Sequence, residues 1–142
     1  MYNKILIPVD FAQSEHTVEL IEKAGELVGE HSGGEEIILL HVVEEVPDYI
    51  MNFLPDEFKE DKVAEAEKEL KLILSKSNIQ NDIVRIEVRK GNSYVSIIES
   101  SNENDVDLIL INSHKPGFED YLLGSTAAKV VRHAKCAVLV ER

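Results

Sequence analysis

The sequence has very little cysteine. Cys136 is the single cysteine among 142 residues, so an internal disulfide is excluded. It falls between the last predicted helix and the last predicted strand, without the sequence context of an activated thiol. We therefore interpret it as a buried structural residue.

Positive charge is also scarce. The chain has 15 basic and 27 acidic residues, a formal net charge of −12, which argues against a nucleic-acid-binding or anionic-membrane surface. Neither end carries a basic segment followed by a long apolar stretch, so we expect no signal peptide and no membrane insertion. The sequence predicts one cytoplasmic domain over residues 1–142.

Several motifs that would assign an enzyme class are missing. The first apolar strand is not followed by Gly-x-Gly-x-x-Gly, and the chain contains no Gly-x4-Gly-Lys-[Ser/Thr]. Asp10 matches the first acid of a receiver domain, but the position that would hold the phosphoacceptor Asp reads Arg89-Lys90-Gly91. The five histidines lack the spacing of a closed metal site, and we interpret His41 and His133 as structural.

Short apolar runs alternate with helical patterns along the chain. The predicted strands are residues 4–10, 37–43, 83–88, 108–111 and 137–140. The third alternates apolar and charged residues, which is typical of an edge strand with one wetter face.

Helices are predicted between these strands. Ser14 and Ser93 are the expected N-caps of the first and third helices, a second helix runs from Asp56 to about Ser77, and a last one covers residues 125–134. The pair Gly33-Gly34 ends the first helical segment, while Val95, Ile97 and Ile98 are expected to point inward. The apolar stretch 44–55 is expected to be an irregular loop that covers a cleft or meets a partner.

This alternation predicts an α/β fold: a doubly wound, five-stranded parallel sheet with helices on both faces. With the first strand in the centre, the strand order is 3-2-1-4-5. The winding then reverses between strands one and four, where ligands bind in such sheets. Asp10 and the segment from Ser113 to Ser125 should converge there.

The fourth strand leads through a polar loop into the last helix, which is the arrangement of an anion site. Free amides at a helix N-terminus and the helix dipole both favour a phosphate. Gly124 permits close approach and Ser125 and Thr126 add hydroxyl donors, while Ser113, His114 and Lys115 supply further donors. The competing interpretations are an ordinary N-cap and, for His114, simple loop packing.

Asp10 allows two interpretations as well. It is placed to hold Mg²⁺ through phosphates, or to accept a hydrogen bond from a nucleotide. Capping of the first helix is the alternative.

At these residues the whole chain resembles the universal stress protein family. The matching pieces are Lys4–Asp10, Ile38–Val43, Gly91, Ser113-His114 and, most specifically, Tyr121–Val140. The resemblance implies an adenine nucleotide alpha hydrolase-like fold, a homodimer formed through the last strand and, in many members, bound ATP. The chain departs from the family's Gly-x2-Gly-x9-Gly-[Ser/Thr] pattern, because Asn112 and Lys115 stand at the first two glycines.

The resemblance also implies which residues contact the nucleotide. The adenosine would lie against Pro8, Val9 and Asp10, with the Val42 backbone at the adenine edge. The ribose and phosphates would be flanked by Asn112, Ser113, His114 and Lys115, and the phosphates held by Gly124, Ser125 and Thr126.

Three functions stay open at this point. The first is a homodimeric stress-response regulator in which ATP orders the 49–54 segment and so alters the binding of an unidentified protein partner. The second is a slow ATPase or self-phosphorylating protein with Ser113, Ser125 or His114 as acceptor, although the sequence offers little machinery for fast phosphoryl transfer. The third is an interaction module with a vestigial, nucleotide-free site.

Overall fold

The computed structural model describes residues 2–29, 33–45, 47–55, 61–113 and 123–142. Its centre is a five-stranded sheet in the order β3-β2-β1-β4-β5, in which every neighbouring pair is parallel. The strands are β1 (Lys4–Pro8), β2 (Glu36–Val43), β3 (Val84–Lys90), β4 (Leu108–Asn112) and β5 (Ala137–Glu141). The predicted topology and strand order are confirmed.

Helices follow the strands in alternation. They are α1 (Ser14–Leu27), α2 (Asp48–Met51), α3 (Lys62–Ser75), α4 (Ser93–Glu103) and α5 (Ser125–His133). Two 3-10 turns, Phe11–Gln13 and Asn81–Ile83, precede α1 and β3. Among the described residues, no helix is long and apolar enough to cross a lipid bilayer.

The period of two in each strand divides the core into two layers. One layer packs Ile5, Ile7 and their equivalents on β2 and β4 against α1 and α3. The other packs Leu6, Ile38 and Ile109 against α4 and α5. Continuous aliphatic runs are therefore buried on both faces, as a parallel sheet requires.

β1 and β4 stay paired for only a short distance. β1 pairs with β2 from Lys4↔Glu36 to Pro8↔Leu40, but with β4 only at Ile5↔Leu108 and Leu6↔Ile109. The two strands then part toward their carboxyl ends. This separation opens a crevice at the point where the winding reverses.

The local predictions at helix starts need correction. Gln13, not Ser14, precedes α1, and its side chain makes no cap hydrogen bond. Asn92, not Ser93, caps α4 by accepting a hydrogen bond from the amide of Val95, whose side chain is exposed rather than inward. Asn and Ser are about equally good N-caps, and Asn92 takes the role because α4 begins at the next residue, Ser93.

Three further features differ from prediction. Helix α1 ends at Leu27, before Gly33-Gly34, because Val28 turns to extended backbone and forms a bridge with Tyr2. The 44–55 stretch contains the short helix α2 rather than irregular structure alone. The helix predicted over residues 56–77 is observed as α3, which begins after its N-cap, Asp61. Residues 56–60 lie outside the described part.

Cys136 is half-buried and packs against the α4–α5 layer. Burial raises the pKa of its thiol. This placement agrees with an unreactive structural cysteine, although the side chain is less enclosed than predicted.

The edge strand β3 carries a charged cluster on one face, as its alternating sequence predicts. Glu87 accepts hydrogen bonds from Arg85, Arg89, Ser100 and Asn104, so one carboxylate ties β3 to the end of α4. Burial alone would raise the pKa of Glu87, but the hydrogen bond and charge of Arg89, with help from Ser100 and Arg85, lower it overall.

The Glu87→Gln substitution tests this cluster. We expect the free energy of unfolding at pH 7 to fall by about 2 kcal/mol, because charge-assisted hydrogen bonds to a side chain only 13% exposed are lost. The folded-state pKa is depressed, so this contribution is present above the unfolded pKa of about 4.3 and disappears as pH falls through the folded value. Urea unfolding across this range measures it.

Glu103→Gln is the matched control, because Glu103 also pairs with Arg89 but is 63% exposed. Its effect should stay below about 1 kcal/mol. Equal losses in the two variants would contradict a special role for Glu87.

Candidate functional site

A cavity of about 360 Å³ lies at the carboxyl ends of β1 and β4. Residues from both sides of the crevice line it, so the convergence predicted from the topology is present. The predicted site residues in its lining are Pro8, Val9, Asp10, Val42, Asn112, Gly124, Ser125 and Thr126. Other described residues in the lining are Gln13, Thr17, Leu40, His41, Glu44, Ser93, Ile97, Ile111 and Ala127.

The N-terminus of α5 faces this cavity. Gly124 occupies the N-cap position and offers no side-chain hydrogen bond to the first helical amides, which are the groups that a helix cannot satisfy internally. The dipole of the helix adds partial positive charge at the same place. This end of α5 therefore has the electrostatics of an anion site.

The fold does not require glycine at position 124. Its φ of −60° is ordinary for any residue, and a Cβ atom there would lie 3.7 Å from the carbonyl oxygen of Ser113, a normal contact. Glycine is therefore not needed for the backbone conformation. Its lack of a side chain leaves the cavity open in front of the α5 amides.

Two hydrogen bonds hold Val9, the residue after β1, to strand β2. The Val9 amide donates to the carbonyl oxygen of Leu40 at 2.8 Å, and the Val9 carbonyl oxygen lies 2.9 Å from Nδ1 of His41. Since a carbonyl oxygen can only accept, Nδ1 carries the proton. The His41 ring also stacks on Phe11 at 3.8 Å between centroids. The structural role predicted for His41 is confirmed, and the same residue lines the cavity.

Asp10 caps the turn that follows β1. Its Oδ1 accepts a hydrogen bond of 2.9 Å from the amide of Ala12. The capping interpretation of Asp10 is therefore correct, with the difference that the capped element is the 3-10 turn rather than α1. The residue still lines the cavity, and any role toward a metal ion stays a prediction.

A side-chain hydrogen bond crosses the crevice where β1 and β4 have parted. Nδ2 of Asn112, the last residue of β4, donates to Oε1 of Gln13 at 2.9 Å. The Gln13 backbone is held as well, by the Thr17 hydroxyl at its carbonyl oxygen and by its own amide at the Asp10 carbonyl oxygen. Sequence reasoning missed Gln13, Thr17 and their connection to Asn112.

Ser113 does not belong to the cavity lining. Its side chain is buried, its hydroxyl donates to the carbonyl oxygen of Glu141 at 3.3 Å, and its amide donates to the same oxygen at 2.9 Å. The residue thus extends the contact between β4 and β5, and its role in binding a ligand stays a prediction. His114 and Lys115 lie outside the described residues.

The described lining has an acidic side-chain balance. It includes the carboxylates of Asp10 and Glu44 and no lysine or arginine. Glu44 follows β2, and its Oε1 accepts a weak hydrogen bond of 3.4 Å from the Ser93 hydroxyl at the start of α4. Attraction for an anion in this part of the site therefore comes from α5 amides and from neutral donors.

Glu44 and Ser93 were missed, although one general rule would have indicated them. All strands of the sheet are parallel, so residues that follow β2 and β3 lie at the same carboxyl end of the sheet as those that follow β1 and β4. Within the described ranges, no group of three or more His, Cys, Asp or Glu side chains is arranged to hold a metal ion without help from a ligand.

Solved structures share this fold. The universal stress protein UspA from Lactobacillus plantarum is 23% identical, with a TM-score of 0.69 over 99% of this chain and 98% of that chain. A universal stress protein from Archaeoglobus fulgidus in complex with dAMP is 18% identical, with a TM-score of 0.64 over 99% and 98%. A universal stress protein in complex with cAMP is also 18% identical, with a TM-score of 0.59 over 99% and 97%.

Comparison of sequences identifies the protein family more specifically than the shared fold does. The model of the universal stress protein family matches residues 1–142. Universal stress protein G of Salmonella typhimurium is 34% identical over 145 aligned residues, which cover 100% of both chains. The chain therefore belongs to the universal stress protein family.

Proposed function

We propose that this protein binds ATP in the crevice between β1 and β4 and acts as a homodimeric, nucleotide-dependent regulator of a stress response in the cytoplasm. The observation that carries the proposal is the cavity of about 360 Å³ at the switch point, into which the N-terminus of α5 faces without a side-chain cap. Its volume is in the range of small-molecule and cofactor sites. The dAMP and cAMP complexes of proteins with the same fold favour an adenine nucleotide as ligand.

The residues divide between the two ends of such a ligand. Pro8, Val9 and Val42 form the wall that would take the adenosine, while Gly124, Ser125 and Thr126 would bind the phosphates. Amides and hydroxyls are suited to this task because they donate hydrogen bonds to phosphate oxygens, and the aligned helix amides add a favourable dipole. His114 remains a proposed hydrogen-bond donor to a phosphate, and Lys115 a proposed source of positive charge.

Asp10 fits a role toward Mg²⁺ that accompanies the triphosphate. Magnesium is commonly held by one or two carboxylates together with phosphate oxygens and water. Asp10 uses Oδ1 to cap the turn, which orients the carboxylate at the cavity wall. When bound, the ion would offset the repulsion between the phosphates and the two acidic side chains.

The regulatory step is proposed for the 49–54 segment, which belongs to the stretch that leaves β2 at the cavity-lining residue Glu44. Within the segment, Tyr49 and Phe53 have 68% and 88% of their surfaces exposed. A ligand that contacts the start of this stretch is expected to select one conformation of the segment. The exposed aromatic side chains would then be presented to, or withheld from, a protein partner.

The homodimer is proposed to form through β5. This strand is at an edge of the sheet, and Leu139 on it is 38% exposed. An uncovered aliphatic edge strand favours pairing with another chain, and a second copy related by a two-fold axis closes it.

Calorimetric titration with ATP and Mg²⁺ tests the binding proposal directly. We expect saturable binding, with adenine nucleotide detectable by mass spectrometry in freshly purified protein. No heat of binding at millimolar ATP, with protein from which bound nucleotide has been removed, would contradict the proposal and favour the nucleotide-free interaction module. Continuous phosphate release would instead favour the slow ATPase.

Replacing Gly124 with Asp should separate stability from binding. Asp is a better N-cap than Gly, so we expect the free energy of unfolding to rise by about 0.5 kcal/mol. The new carboxylate would occupy the α5 amides and repel the phosphates, which should weaken ATP binding by about tenfold or more. Thermal unfolding and calorimetry measure the two effects.

Gly34→Asp is the control for Gly124→Asp, because it adds the same charge where a Cβ atom meets nothing within 4 Å. ATP affinity should not change in that variant. Unaltered affinity in Gly124→Asp would remove α5 from the proposed phosphate site.

Hydrogen exchange followed by mass spectrometry tests the regulatory segment. Saturating ATP should slow amide exchange in residues 44–55, because a segment that is ordered by a ligand opens less often. Residues 66–75 of α3 serve as the internal reference. Unchanged exchange in 44–55 despite bound ATP would contradict the proposed coupling.

Replacing Leu139 with Lys tests the proposed dimer. A charged side chain on the β5 edge should shift sedimentation from dimer to monomer at micromolar concentration. Leu72→Lys is the matched control, because Leu72 is 50% exposed on α3, away from that edge. A monomeric parent protein, or a dimer insensitive to Leu139→Lys, would contradict this assignment.

A further inference from the structure

The side chains of Gln13 and Asn112 connect the two walls of the crevice. They come from the turn after β1 and from the end of β4, the two strands that are no longer paired beyond Leu6 and Ile109. Their hydrogen bond is 2.9 Å long and partly buried, and both side chains line the cavity. The contact therefore lies next to any ligand that fills the cavity.

Gln13 is held more firmly than a typical surface glutamine. Its amide donates to the Asp10 carbonyl oxygen at 3.0 Å, and its carbonyl oxygen accepts from the Thr17 hydroxyl at 3.2 Å. Thr17 is itself buried on α1. With backbone and side chain both fixed, Gln13 makes contacts at little further cost in conformational entropy.

The bond also fixes which way the Gln13 amide points. A side-chain amide has one accepting oxygen and one NH₂ group with two donors. Because Oε1 accepts from Asn112, the NH₂ group is the part of Gln13 that remains for a ligand. Beside the carboxylates of Asp10 and Glu44, this group is a neutral donor suited to oxygen atoms of an anionic ligand.

We propose that Gln13 is a ligand-binding residue that donates a hydrogen bond to an oxygen of the sugar–phosphate part of the nucleotide, and that Asn112 is the positioning residue that sets the orientation of the Gln13 amide. The inference rests on the proposed nucleotide binding and adds to it a specific donor. It also gives Asn112 a function through Gln13.

The first test replaces Gln13 with Glu. The shape is retained and Asn112 still has an acceptor, but the donor becomes a carboxylate facing an anion. We expect ATP affinity, measured by calorimetry, to fall by about tenfold or more. Gln80→Glu makes the same charge change at an exposed position outside this cavity and should leave affinity unchanged.

The second test replaces Asn112 with Leu, which is similar in size, adds no charge and cannot donate a hydrogen bond. The Gln13 amide then loses the partner that sets its orientation, so affinity should fall by about fivefold in the wild-type background but by much less in a Gln13→Ala background. A purely structural role for Asn112 predicts equal, additive losses, and Asn78→Leu is the control at an exposed site.

Comparing adenosine, AMP and ATP identifies the oxygen that is recognised. A loss of affinity in Gln13→Glu that is already present with adenosine assigns the contact to the ribose, whereas a loss confined to AMP and ATP assigns it to a phosphate. Unchanged affinity of Gln13→Glu for all three ligands, with binding by the parent protein intact, would overturn the inference. Absence of binding by the parent protein would overturn the proposed function as well, and the two failures are thereby distinguished.

Discussion

The early separation of β1 from β4 is the constraint on which the site depends. Pairing ends at Leu6↔Ile109, although both strands continue toward the carboxyl end of the sheet. The loops that follow must turn to opposite faces because the winding reverses there, and space between them cannot be filled by backbone. The α5 N-terminus, the capped turn of Asp10 and the Gln13–Asn112 contact all border the space that opens where the two strands part.

The sheet itself was predictable from sequence because each strand is a short run of contiguous residues whose apolar side chains must be buried. Ile5 to Ile7 and Ile37 to Leu40 are apolar on both faces, which only a strand covered by helices on both sides tolerates. β3 alternates because one of its faces carries the cluster around Glu87. Helix starts were less predictable, since Ser93 and Asn92 are both good caps and the choice depends on backbone geometry of a single residue.

The site was predictable only in part. Asp10 and Gly124 follow strands directly, so the topology alone brings them together. Gln13 and Glu44 were not indicated, because their positions depend on a 3-10 turn and on the direction in which the chain leaves β2. The hydrogen bonds that Ser113 makes to the Glu141 carbonyl oxygen were not indicated either, because they depend on how far β5 runs beside β4.

The two edges of the sheet differ in character. β3 presents Arg85, Glu87 and Arg89 within a network of ion pairs, whereas β5 presents Ala137 and Leu139. Charged edges resist the addition of further strands, and aliphatic ones invite it. A dimer of the proposed kind, paired through β5, would leave only the β3 edges uncovered, and the charges there disfavour the addition of a further strand.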